Sequence, residues 1–250
     1  MAEIAIVKPP SRSYQRCVSS HPLKSTVDFA RAQSQHKAYC MALEELGLDL
    51  IQLPPDDTKP DSCFVEDTAI IHGGKAFITR MALKSRRGEG ASIREELEKH
   101  LNVSRCQPPA TIEGGDAIHL QHELIIGETQ RTTAGGIEQA GEYLQVPVKT
   151  IKDTTIVHLK GHITYLGRGI VICTRQYMDH PELKQFEKIV VNRKEVYAAN
   201  TLAIGDVVLM TKGYPVSEQL VRDAGFDVIT LDMSEFEKCE GALTCLSLLF

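Results

Sequence analysis

Thr68-Ala-Ile-Ile-His72-Gly-Gly-Lys75-Ala-Phe-Ile-Thr79 carries the pattern that decides the fold. Two apolar runs, Thr68 to His72 and Lys75 to Thr79, flank Gly73-Gly74, and glycine enters the positive-φ conformations of a tight hairpin turn without steric cost. An amphipathic stretch, Ser92 to Leu101, follows the hairpin. The same order returns along the chain, with turns at Gly167-Arg168-Gly169 and Gly205-Asp206. Periodicity places further helices at Val27 to Leu46, Thr133 to Leu144 and Ser217 to Ala224. It places further strands at Ile4 to Val7, Leu50 to Leu53, Leu124 to Gly127, Gly169 to Cys173, Val207 to Met210 and Asp227 to Leu231.

The class is therefore α/β. A strand, tight turn, strand, helix, strand unit recurs about every 45 residues, and five such ββαβ modules use up the 250-residue chain. The fifth is complete only if Ala242 to Phe250 is joined by the N-terminal strand and helix, which closes a ring instead of leaving an open sheet. No Pro/Gly/Ser linker divides the chain, so one domain spanning 1–250 is expected. A doubly wound open sheet is the simpler alternative.

With 42% hydrophobic and 24% charged residues, the chain can bury a sizeable core. A net charge of −5 provides no basic field for nucleic acid or an anionic membrane. The N-terminal apolar run is too short for a signal peptide, and no stretch approaches the ~20 apolar residues of a membrane span. Seven cysteines, odd in number, scattered and without a CxxC pair, argue against a disulfide framework or a four-ligand zinc site. A reducing cytoplasm is the expected location.

Four segments are unlike packing or turn sequence: Pro60-Asp-Ser-Cys-Phe-Val-Glu-Asp67, Thr111-Ile-Glu-Gly-Gly-Asp116, Val157-His-Leu-Lys160 and Gly241-Ala-Leu-Thr-Cys-Leu-Ser247. Each sets an ionisable group beside an apolar strand or a tight turn. Burying a charge costs several kcal/mol unless it is paired, so these groups pair with one another or await a ligand. Their spacing matches the module: 46 residues from Asp67 to Glu113, 45 to His158, 42 to Asn200 and 45 to Cys245. Each module is thus expected to point one polar residue at a shared axis.

Chemically the set suits a planar cation. Asp67 and Glu113 can accept in-plane hydrogen bonds from a guanidinium, and a neighbouring cationic substrate or imidazolium favours the thiolate of Cys245. Taken singly, Cys245 reads as a small buried hydrophobe, His158 as a core or surface histidine, and Glu113-Gly-Gly-Asp116 as a turn. Their conjunction at equal spacing reverses that reading.

At these residues the chain resembles the dimethylarginine dimethylaminohydrolases and, more widely, the arginine deiminase and amidinotransferase superfamily, whose fold is the five-bladed α/β propeller called the pentein. The resemblance rests on Leu53-Pro-Pro-Asp56, Pro60-Asp61 through Phe64-Val-Glu-Asp67, Ile78-Thr-Arg80, Ser85-Arg-Arg-Gly-Glu89, Glu113-Gly-Gly-Asp116, Ile126-Gly127 with Arg131-Thr132, His158-Leu-Lys160, Tyr197-Ala-Ala-Asn200 and Thr244-Cys-Leu-Ser247. It implies a hydrolase that turns Nω-methylated arginines into citrulline and an amine through a covalent thiouronium, with Cys245 as nucleophile, His158 as acid and then base, and Glu113 completing the catalytic set. It implies Asp67 with Glu113 on the guanidinium, Arg86 and Arg131 on the α-carboxylate, Asp61 on the α-amino group and Glu66 lining the pocket. Substrate contacts are also implied at Cys17, in the lid Gln15 to His21, and at Cys239 and Glu240. These last three residues depart from the family pattern, which has Leu, an aliphatic residue and Asp in their places.

No metal or organic cofactor is expected, since a thiol and one imidazole fall short of three zinc ligands and no HxxxH-type pair is present. The expected partner is a small guanidino molecule, without nucleic acid or membrane; a homodimer is compatible with the sequence. Rival readings are an arginine deiminase-like hydrolase, an amidinotransferase and a non-catalytic binder of arginine derivatives. The transferase would need an acceptor site, for which five modules leave little chain. A binder would need the carboxylates but not the thiol and imidazole.

Overall fold

A lone hairpin is marginal in water, and in each module a third strand completes a small sheet. The structure, a computed structural model, describes residues 2–250 and holds five three-stranded sheets. β1 (Ile4–Val7) lies parallel to β2 (Asp49–Gln52), with α1 (Phe29–Glu45) crossing between them. β3 (Ala69–His72) and β4 (Lys75–Ile78) form the Gly73-Gly74 hairpin, and α2 (Ala91–Leu97) leads to β5 (Asn102–Arg105), parallel to β4. The third sheet repeats this with β6 (Ala117–His119), β7 (Leu124–Glu128), α3 (Ala134–Leu144) and β8 (Val148–Lys152).

β9 (Ile163–Gly167), β10 (Ile170–Thr174) and β11 (Glu187–Val191) form the fourth sheet. β12 (Leu202–Ile204), β13 (Val207–Thr211), α4 (Pro215–Asp223) and β14 (Asp227–Leu231) form the next, followed by the short α5 (Ser234–Glu237). β15 (Ser247–Leu249) then pairs antiparallel with β1, so the first sheet takes its hairpin strand from the far end of the chain. The ring closes as expected, and the architecture is the five-bladed α/β propeller.

Two helix starts shift for local reasons, and α2 stops at Leu97 short of the expected Leu101. α1 starts at Phe29 because the Asp28 carboxylate caps it by accepting from the Arg31 N–H. α4 starts at Pro215, whose fixed φ suits a first helical turn. One module departs from ββαβ: the crossover from β10 to β11 is made by two 3-10 turns, Arg175–Tyr177 and Pro181–Leu183, in place of a helix.

The apolar core is divided into five clusters, each lying between neighbouring blades. Phe77 of β4 packs with Leu124, Ile126 and α3 residues Ile137, Ala140 and Leu144. Leu166 and Ile172 pack with Val208, Met210 and Val221 of the following blade. Where the helix is missing, Tyr177 and Leu183 fill the gap against Ile118 and Ile125. Tyr39 and Leu43 of α1 pack with Leu209, Met233 and Phe236, and Ile6 and Leu248 pack with Ile93 and Leu97. A fully buried side chain of this kind contributes roughly 1.5–3 kcal/mol, and no blade can bury its apolar face without both neighbours.

Candidate active site

Each module enters its first strand through a 3-10 turn, and at or beside each turn stands one polar residue. Asp67 lies within Val65–Thr68, Glu113 just before Gly114–Asp116, His158 just before Leu159–Gly161, Asn200 just after Val196–Ala199 and Cys245 within Thr244–Leu246. The turns therefore carry the equal spacing of the sequence into one ring around the propeller axis.

Glu113, fully buried, is gripped at both oxygens: Oε1 accepts from the Ala82 N–H at 2.9 Å, and Oε2 lies 2.7 Å from His158 Nε2. Asp67 Oδ1 is 3.7 Å from the same imidazole nitrogen and accepts from the Gly115 N–H at 3.1 Å. Gly115 has to be glycine here, since a Cβ would sit 2.7 Å from Asp67 Oδ1 and 2.9 Å from His158 Cγ. Burial works against the imidazolium, but Asp67, the hydrogen bond to Glu113 and Asp116 raise His158 to about 9. Burial also opposes ionisation of Asp67, yet His158, Arg86 and the Gly115 N–H hold its carboxyl below the usual range. Asp67, Glu113 and His158 offer metal-ligand atoms within 4.8 Å of one another.

Cys245 is partly buried, with its Sγ accepting from the Ala242 N–H at 3.4 Å. Burial, followed by the carboxylates of Glu66 and Asp67, pushes its thiol well above the ordinary range. The thiol is thus neutral until something offsets that negative field. Asp61, Glu66, Asp67, Glu89, Glu113 and Asp116 outnumber Arg86, Arg131, His158 and Lys160 around the ring, which draws a cation inward.

The structure also shows where the other expected site residues stand. Asp61 is buried, and both its oxygens accept from the Val18 N–H of the lid segment, at 3.1 and 3.2 Å. Arg86 is buried and donates to Asp67 at 2.8 Å and to Glu89 at 2.8 Å, with Glu113 at 3.9 Å. Glu89 is lifted to about 7 by burial against the opposing pull of Arg86. Arg131 differs, because its Nε is buried and unpartnered. Glu66 has both oxygens engaged by Lys160 Nζ at 2.6 Å and the Thr244 hydroxyl at 2.7 Å.

Cys17 and Cys239 are not separate pocket residues: they form a disulfide with Cα atoms 5.9 Å apart. The scattered cysteines hide this pair, which is a single cross-link and not a framework. Around it, Ser19 Oγ donates to the Lys238 carbonyl, and the Ser20 N–H and hydroxyl donate to Glu240 at 3.0 and 2.7 Å. Glu240 is exposed, and its carboxylate holds the lid segment. Cys17, Cys239 and Glu240, three positions that depart from the family pattern, thus meet at one seam between the lid and the loop before Cys245.

Sequence reasoning left Asp116 without a role. Its Oδ1 accepts from the Leu159 N–H at 2.8 Å and its Oδ2 from the Thr129 and Thr132 hydroxyls, anchoring the backbone beside His158. Burial raises Asp116 to about 6. The signal was available in the buried charge of Glu113-Gly-Gly-Asp116, but its partners lie in other turns.

The family model for eukaryotic N,N dimethylarginine dimethylhydrolase matches residues 13–246. The N(G),N(G)-dimethylarginine dimethylaminohydrolase of Pseudomonas aeruginosa is 34% identical over 250 residues, covering 98% of each chain. That of Streptomyces coelicolor is 33% identical, covering 97% of this chain and 95% of its own. A crystal structure of the Pseudomonas enzyme, a cysteine-to-serine mutant complexed with citrulline, superposes with a TM-score of 0.97 at 33% identity over 100% of both chains. Among the described residues no helix is long and apolar enough to cross a membrane.

Proposed function

Because the chain belongs to the dimethylarginine dimethylaminohydrolase family, we propose that its ring of turns hydrolyses Nω-methylated arginines to citrulline and methylamine or dimethylamine, with Cys245 as nucleophile. The observation that carries this reading is the His158–Glu113 pair at 2.7 Å, set with Asp67 and Cys245 at equivalent turns of one ring.

The guanidinium is held flat by Asp67 and Glu113, and its charge offsets the field that keeps the thiol neutral. The thiol releases its proton to solvent, and the Cys245 sulfur bonds to the guanidinium carbon. The C–N bond to the methylated nitrogen breaks as the His158 imidazolium gives its proton to the departing amine. Neutral His158 then takes a proton from water as that water adds to the thiouronium carbon, and collapse frees citrulline and the thiol. A histidine raised to about 9 arrives protonated at neutral pH, as the first step needs. Arg131, with an unpartnered Nε, offers a donor to the α-carboxylate. Asp61 and the lid stand at the amino end.

The test is release of citrulline and amine from monomethylarginine, asymmetric dimethylarginine, arginine and agmatine. Methylated arginines should turn over and Cys245→Ser should not, while still binding substrate. More than a few per cent of wild-type rate in Cys245→Ser would remove the assigned nucleophile. A preference for arginine above about tenfold would replace the substrate class and leave the mechanism standing.

A further inference from the structure

Four of the five ring positions have a place in the chemistry above; the fifth, Asn200, has none. We infer that Asn200 is a positioning residue that sets the nucleophile's segment against the histidine's, an inference that rests on the proposed roles of Cys245 and His158. Its side chain is almost fully buried and engaged at both ends. The Oδ1 accepts from the Thr244 N–H at 3.1 Å, and the Nδ2 donates to the Thr244 hydroxyl oxygen at 3.0 Å and to the Lys160 carbonyl at 3.1 Å. Thr244 immediately precedes Cys245, and Lys160 stands two residues after His158.

The contacts form a closed circuit. The Thr244 hydroxyl accepts a hydrogen bond from Asn200 and donates one to Glu66, while Glu66 accepts from Lys160 Nζ and the Lys160 carbonyl accepts from Asn200. Clamping both the N–H and the hydroxyl of Thr244 leaves the residue one backbone geometry and one side-chain rotamer, and the direction of the next Cα follows. Because the same carboxamide also holds the Lys160 carbonyl, any drift of the Cys245 turn relative to the His158 turn stretches a hydrogen bond.

Packing does not hold every side of this clasp. Leu243 and Leu246 anchor the Cys245 turn in the core, but Glu66, Lys160 and Thr244 line a cavity of about 430 Å³ that also reaches Ile118, His119 and Leu202. On that side the circuit faces open space, and hydrogen bonds rather than close packing fix its members. A displacement of about 1 Å at reacting groups lowers rates on the order of 100-fold.

The experiment compares Asn200→Asp, Asn200→Ala, Thr244→Val and Thr244→Ser with the wild-type enzyme. Asn200→Asp keeps the shape and the acceptor for the Thr244 N–H but loses both donations. Thr244→Ser keeps the hydroxyl and the N–H. Expected is a fall in kcat for asymmetric dimethylarginine of about 10- to 100-fold in Asn200→Asp, Asn200→Ala and Thr244→Val, with KM within about threefold and Thr244→Ser close to wild type. Asn200→Ala combined with Thr244→Val should be little worse than either alone, since both break the same clasp. A second readout, alkylation of Cys245 by 2-chloroacetamidine, needs no turnover and should slow in the same three variants.

An unchanged kcat per titrated Cys245, with only the melting temperature lowered, would reduce Asn200 to a structural residue and overturn the inference. Equal losses in kcat and in substrate affinity would overturn it as well. A wild-type chain that releases no citrulline would defeat the functional reading, whereas the alkylation series would still decide whether Asn200 aligns Cys245.

Discussion

Replacing Glu113 with Gln removes the charge beside His158 while keeping the side chain's shape and an acceptor for the Ala82 N–H. In the wild-type site, burial opposes the imidazolium, and Asp67, the hydrogen bond to Glu113 and Asp116 overcome it to raise His158 from 6.5 to about 9. A hydrogen bond between charged partners contributes roughly 1.5–3 kcal/mol, and one pH unit corresponds to about 1.4 kcal/mol. The His158 pKa should therefore fall by about 1 to 2 units, to about 7 or 8. Histidine-labelled NMR reads that value directly, and the alkaline limb of kcat for asymmetric dimethylarginine should move down by the same interval. Stability carries the same signature. The folded pKa lies above the unfolded one, so the stabilisation is full below pH 6.5 and is lost as pH rises through 9, roughly 3 kcal/mol in all. In Glu113→Gln that loss should shrink and end near pH 7 to 8. If His158 still titrates near 9 in the variant, Glu113 is not what holds the imidazolium.

The two arginines assigned to the α-carboxylate should separate on mutation. Arg131→Ala should raise KM for dimethylarginine by about 10- to 100-fold and leave agmatine nearly unchanged; Arg86→Ala should also unfold more easily, because Asp67 and Glu89 lose their buried cation at a cost of roughly 3–5 kcal/mol. Equal kinetic losses on both substrates for Arg131→Ala would make it a structural residue. Cys17→Ser should lower the melting temperature and abolish its response to a thiol reductant, since a cross-link spanning 222 residues restrains the unfolded chain by up to about 5 kcal/mol; a wild-type melt indifferent to reductant would contradict this. Glu240→Ala should raise KM for every substrate alike without altering the preference for methylated arginine, because its carboxylate binds Ser20 of the lid. A changed preference would make Glu240 a direct substrate contact instead.

Much of the architecture is legible in the chain because the central hairpin strands are apolar and their turns need glycine. Ile4–Val7 and Asp227–Leu231 coincide with the strands read from periodicity. Two of the third strands are harder to see: Asn102–Arg105 and Val148–Lys152 hold only one and two apolar residues, without alternation, and end in charge. The missing fourth helix is equally hidden, since Tyr177 and Leu183 fill the same interblade space from turns. At the site, spacing is enough to bring Asp67, Glu113, His158, Asn200 and Cys245 together. It does not reveal partners across modules, such as Glu66 with Lys160 and Thr244, 94 and 178 residues apart. Cys17 and Cys239 escape notice for the same reason.

The pairing of β15 with β1 also bears on how the molecule is born. As the chain leaves the ribosome, the middle blades can assemble from neighbouring segments, whereas the first blade keeps a bare strand edge until Ser247–Leu249 emerges. Closing so long a loop is entropically slow, since it pairs Ala5 with Leu249. Cys245 sits two residues before that strand. The nucleophile and the keystone strand are delivered together, so no nascent chain with an open ring carries an assembled catalytic set.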